Sequence, residues 1–200
     1  IASRAGYNTV SLRTIPMGLA GEVTHDIARD KNLFNETKHA IEETGVKIND
    51  IENAKIYDGV DIKDYEPSLE AAAKLGVRHV LTNIWTSNKK YYTEKFCELC
   101  ELAAKYSQTV NVEFVTWASV NNLQTTKELL LDSGFENVGI VVDVLHFYRS
   151  KVKLDELNSI PKQWFNYIHL CDCEKEIPTD EESLIHTGRV ERLYPGEGAI

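Results

Sequence analysis

No apolar run in this chain approaches the ~18 residues that a membrane-spanning helix needs, so no membrane partner is expected. Glycine-rich phosphate loops are missing as well. Neither GxGxxG nor GxxxxGK followed by Ser or Thr occurs, which weakens an open doubly wound nucleotide-binding sheet without removing it. Basic residues are in deficit, 22 against 31 acidic ones. The resulting net charge of -9 repels a phosphate backbone and sets nucleic acid aside as a partner. Cysteine is scarce, four in 200 residues, so the chain is not a disulfide-stapled secreted scaffold. No secretory leader is visible, although the chain opens on Ile1, and the expected compartment is the cytoplasm.

The four cysteines still invite a metal reading. Cys97 and Cys100 sit in FCELCELAAK, which reads as helix, while Cys171 and Cys173 flank Asp172 at a strand end. Structural zinc knuckles use turns, which a mid-helix CxxC does not provide. Buried free thiols are the expectation.

What the sequence does hold is a strand-then-helix rhythm. β-rich runs at 8–13, 46–56, 77–85, 109–115, 137–144 and 165–173 alternate with helical patterns at 31–45, 64–76, 89–107, 121–134 and 152–160. Within 89–107, Tyr92, Phe96, Leu99 and Ala103 fall on one stripe, the signature of an amphipathic helix. Gly45, Gly76 and Gly134 each close a helical stretch, where glycine tolerates the left-handed stop conformation. Six strands separated by helices call for a parallel sheet with helical crossovers. Units of roughly 25–30 residues fit an α/β (β/α)8, or TIM, barrel. One domain over 1–200 is expected, incomplete at both ends. Ile1 opens inside what reads as a helix, and the chain stops before any further strand, so the six strands would be the second to the seventh, with the first and eighth lacking.

In such a barrel the functional groups stand at the C-terminal ends of the strands. Glu113 interrupts VNVEFV, Asp143 ends VGIVVD and His169 lies in NYIHLCD. Each has a plainer reading: the start of a solvated loop, a helix N-cap, a satisfied core histidine. Their recurrence on three successive strands argues instead for a divalent-metal site of two carboxylates and an imidazole, open to Mn, Mg, Co or Zn. DVLH and HLCD add His146 and Asp172 one short step beyond their strands, and Arg13 ends the first strand. These are candidate substrate contacts. GRVERLYPGEG (188–198) reads as a loop carrying Arg189 and Arg192. An arginine there can clamp a hydroxyl, carboxylate or phosphate through two hydrogen bonds.

EF, then DxxH, then HxxD, then RxxPGxG resembles the xylose-isomerase-like barrel superfamily, which includes sugar-phosphate isomerases and epimerases. The resemblance implies that Glu113, Asp143 and His169 ligate the metal, with a fourth ligand, a glutamate of the eighth strand, expected beyond residue 200. It further implies that Glu113 acts as acid/base and that His146 and Arg192 contact substrate. FVTWASV has no second acidic residue after Glu113, unlike ketose 3-epimerases. The implied reaction is proton abstraction next to a carbonyl of a sugar or keto-acid through a metal-stabilised enediolate. The alternatives are a metal-dependent dehydratase of a cyclic hydroxy-ketone, of 3-dehydroshikimate or inosose type, and a non-catalytic sugar-binding barrel. An apurinic endonuclease fits less well, since it needs more metal ligands and a basic rim. Self-association into a homo-oligomer is left open.

Overall fold

The computed structural model describes residues 1–18 and 21–200. Its strands are β1 (Thr9–Arg13), β2 (Lys47–Glu52), β3 (His79–Thr82), β4 (Thr109–Glu113), β5 (Val138–Asp143) and β6 (Phe165–His169). They form one sheet in sequence order, every neighbouring pair parallel. The helices are α1 (Lys31–Thr44), α2 (Glu66–Lys74), α3 (Lys89–Ala104), α4 (Leu123–Ser133), α5 (Val144–Arg149) and α6 (Glu181–Val190). The architecture matches a TIM barrel that lacks some of its strands, as the strand–helix alternation predicts.

Alternation along the strands sorts the side chains onto two faces. Ile51, Val80, Val110, Val112, Ile140 and Val142 form the core together with Leu69, Phe96, Leu99, Leu129 and Leu130 of the covering helices. Burying each such side chain contributes about 1.5–3 kcal/mol. The intervening positions point to the barrel interior. Register pairs Arg13 with Glu52 and Asp143 with His169, so these polar side chains share the inner face. β5 is buried along its whole length, which is why VGIVV reads as an unbroken apolar run up to Asp143.

Caps and stops follow the sequence. Asp30, Asn88 and Asn122 accept first-turn N–H groups of α1, α3 and α4. Gly45 and Gly134 end α1 and α4 with φ of 70° and 69°. Four features differ from the sequence reading. The opening stretch is only a 3-10 turn, Ser3–Ala5, and 152–160 is a 3-10 helix, Leu154–Ser159. α5 begins directly after β5, and at six residues it is too short to leave a periodic signature. α6 runs into the segment expected to be a loop, placing Arg189 in its last turn.

All four cysteines are free. The only cluster of metal-ligand type among the described residues is Glu113, Asp143 and His169, so the thiols do not gather into a second one. No helix of the described residues is long and apolar enough to cross a membrane.

Asp172 organises the last segment of the chain. Its Oδ1 accepts the N–H groups of Cys173 and Ile200, both at 2.9 Å, and its Oδ2 accepts that of Gly196 at 2.9 Å. Gly198 packs so closely that an added Cβ would meet Cys173 O and Asp172 Oδ1. These N–H groups, led by that of Ile200 and opposed only by burial, hold the Asp172 carboxyl down at about 2. A depressed carboxylate stabilises the fold above its ordinary pKa and loses that contribution as pH falls toward 2. Asp172→Asn, which turns an NH2 against N–H donors, is expected to melt several degrees below wild type at pH 7 and to converge with it near pH 2. Melting curves that stay parallel across that range would refute the anchoring role.

Candidate metal centre

The C-terminal ends of β4, β5 and β6 bring Glu113, Asp143 and His169 together. One ligand atom from each lies within 4.8 Å of the other two. His169 Nδ1 is 2.9 Å from Glu113 Oε1 and 3.9 Å from Asp143 Oδ2. Ligands at the usual ~2.0–2.6 Å from one ion stand at most about 5 Å apart. Two carboxylates and an imidazole at this separation therefore fit a divalent ion with no movement of the strands.

Each ligand is oriented by its neighbours. The Oδ1 of Asp143 accepts the N–H groups of Leu145 and His146 at 3.0 and 3.3 Å. It thus caps α5, as the plainer reading of the sequence allows, and still turns Oδ2 to the site. Arg192 Nη1 donates to that Oδ2 at 2.6 Å, and Arg192 Nε to Gly188 O at 2.7 Å. Asn83 Nδ2 donates to both the backbone carbonyl and Oε2 of Glu113, at 2.9 and 3.1 Å. Asn53 in turn donates to Asn83 Oδ1. Glu113 offers only acceptors there, which fixes the orientation of both amides.

The electrostatics follow from the pairing. Burial disfavours a charged His169, yet its bond to Glu113 and the charges of Glu113 and Asp143 outweigh that and hold the imidazole up to about 9. Burial likewise opposes ionisation of Glu113, and the His169 bond and charge overcome it, so the carboxyl is lowered. His146 differs. Burial lowers its pKa against the pull of Asp143 and Glu113. The backbone N–H of Thr116 donates to His146 Nδ1 at 3.4 Å, so the neutral ring carries its proton on Nε2. Trp117 packs edge-on against it, ring centres 4.9 Å apart.

A cavity of about 460 Å3 opens over the triad. Of the residues singled out in the sequence, Glu113, Asp143, His169, His146, Arg192 and Arg13 line it. Arg13 is paired there with Glu52 at 2.8 Å. Asp172 does not line it, because both of its oxygens are taken by backbone N–H groups of the last segment. Arg189, named with Arg192 in the same segment, lines it too, as do Glu52, Asn53, Asn83, Trp85 and Trp117. Glu52 and Asn83 are polar residues at or just past a strand end, and the rule that found Glu113 reaches them too. The two tryptophans carry no such signal. Their indole N–H groups are buried without a partner in the cavity wall.

The family model described as "Xylose isomerase-like TIM barrel" matches residues 1–200. The chain is 26% identical over 153 residues to an inosose isomerase of Bacillus velezensis, covering 70% of this chain and 51% of that protein. It thus spans about half the length of the curated relatives it matches. Among solved structures it resembles the IolI protein with a bound zinc atom, at a TM-score of 0.78 and 20% identity, over 100% of this chain and 73% of that one. It also resembles a probable 3-DHS dehydratase, AsbF, of Bacillus anthracis, at 0.69 and 17%, over 99% of this chain and 73% of that one.

Proposed function

The chain belongs to the xylose isomerase-like TIM barrel family, and from that premise we propose that it serves a divalent-metal-dependent isomerase or epimerase acting on a sugar or keto-sugar by moving a proton next to a carbonyl. The observation that carries this reading is the triad Glu113, Asp143 and His169, with ligand atoms within 4.8 Å at the floor of one cavity. These three residues would hold the ion, which when bound supplies Lewis acidity toward a substrate carbonyl oxygen.

The chain's own residues account for the rest. Glu113, lowered into its ionised form, accepts the carbon-bound proton. Asn83 holds Glu113 Oε2 and so limits how the carboxylate can turn. His146 is neutral at pH 7 and offers its Nε2–H to a substrate oxygen. Arg192 reaches the mouth of the site and can clamp a hydroxyl or carboxylate oxygen. Trp85, Trp117 and Val115 line the cavity wall and keep bulk water from the proton in transit.

A second reading has its own support. Arg13, Arg189 and Arg192 all line the cavity, which suits a substrate bearing a carboxylate and hence a dehydratase of a cyclic hydroxy-keto-acid. One experiment separates the two. The chain is loaded with Mn in deuterated water and offered inosose, a panel of keto-sugars and 3-dehydroshikimate. Deuterium entering the carbon beside the carbonyl, abolished by chelator and restored by Mn, is the expected result. Loss of the enone absorbance of 3-dehydroshikimate, with that of an aromatic dihydroxybenzoate growing in, would select the dehydratase. Metal-loaded protein that exchanges no proton in any of these compounds would defeat both.

A further inference from the structure

A buried arginine without a counter-ion marks a second place of interest. Arg149, the last residue of α5, is 6% exposed, and a guanidinium keeps its proton at every physiological pH. Its Nη1 donates to Leu184 O at 3.3 Å, the Cys173 thiol also lies within its reach, and its Nε has no partner. It takes part in none of the ion pairs among the described residues. A buried charge left alone is expensive. In a chain with 31 acidic residues, a carboxylate for it would not be hard to place.

The surroundings of Arg149 say what takes that role. It lines a cavity of about 440 Å3 with Lys151, Thr116, Thr179 and Asn122, and no Asp or Glu stands in the wall. Asn122 is the N-cap of the eleven-residue α4, so the positive end of that helix dipole opens onto the same space. The cavity shares no lining residue with the one over the triad. Thr116 lies between the two, its hydroxyl 3.2 Å from His146 Nδ1.

We propose that this cavity binds a small oxyanion, the phosphate or carboxylate group of a ligand, between Arg149 and Lys151. The planar guanidinium can engage two oxygens at once, Lys151 adds a point charge, and the Thr179 hydroxyl is a further donor. The site is independent of the reaction proposed above and stands or falls separately from it.

The test titrates the metal-free chain with inorganic phosphate and, in a second arm, with acetate, at constant ionic strength, by calorimetry and melting temperature. Saturable one-site binding of at least one anion is expected, and the tighter of the two identifies the group. Arg149→Gln should weaken it about tenfold or more. Lys151 is exposed, so Lys151→Glu reads the same site even if Arg149→Gln fails to fold, and it should weaken binding severalfold. Arg189→Ala, on the triad's cavity, should leave the affinity unchanged. Absence of saturable binding, binding that survives Lys151→Glu unaltered, or binding abolished by Arg189→Ala would each overturn the site.

Discussion

Glu113→Gln is expected to lower turnover by about 10^2–10^4-fold, the range a positioned general base supplies, while the metal-free protein stays folded. Gln keeps the shape of Glu but accepts no proton at neutral pH. Asn83 dictates how it sits: its N–H groups need an acceptor, so the Gln oxygen faces Asn83 and the NH2 faces His169. His169 Nδ1 must then accept rather than donate. The imidazole, held up to about 9 by Glu113 in the wild type, titrates lower in the variant, which imidazole NMR reads directly. Replacing a buried ion pair by a neutral hydrogen-bonded pair of the same shape is often near neutral for stability. The sign with pH is fixed. His169 is raised, so its contribution is full below about 6.5 and disappears as pH rises through about 9. Glu113 is lowered, so its contribution is present above about 4.5. The wild type's advantage should therefore be greatest between those values and absent at pH 10. A variant that exchanges substrate protons at the wild-type rate would remove Glu113 from the reaction.

Arg192→Ala should produce the second large effect, in two parts of opposite sign. Asp143 is 2% exposed and has Arg192 as its cation at 2.6 Å. Removing one member of a buried pair costs about 3–5 kcal/mol, and less here, about 2–3, because the guanidinium is nearly one-third exposed. The metal-free variant should melt correspondingly lower. A divalent cation can take over the role of Arg192 beside Asp143, and it no longer meets a competing positive charge. Mn should therefore raise the melting temperature of the variant more than that of the wild type, while KM rises or kcat falls for lack of the clamp. Metal analysis together with paired melting curves checks this. Loss of bound Mn from Arg192→Ala would show that the arginine supports the metal rather than the substrate.

Much of this was legible in the residues. The six strands were readable because each is an apolar run that a helix with a glycine or polar cap separates from the next. The triad was readable because Glu113, Asp143 and His169 break apolar runs at equivalent places. Illegible were the features that depend on residues far apart in the chain. Arg192 reaches Asp143 across 49 positions, and Asp172 is engaged by Gly196 and Ile200, 24 and 28 residues later. HLCD carries no sign that its aspartate serves backbone amides rather than a substrate. α5 escaped because six residues are less than two turns, and only its cap, Asp143, hints at it.

The anchoring of the two carboxylates would also set how many oxygens an ion held there receives. Asp143 has one oxygen engaged by the amides of Leu145 and His146, and Glu113 has one engaged by Asn83. Each carboxylate therefore turns a single oxygen toward His169, and that of Asp143 also accepts from Arg192. Calcium takes six to eight oxygens and commonly grips carboxylates through both. A site of two single oxygens and one nitrogen starves it. Smaller ions that accept nitrogen and few protein ligands would suit it better. A preference of this triad for small ions over calcium would thus be set by the amides of Leu145 and His146 and by Asn83, none of which belongs to the ligand triad.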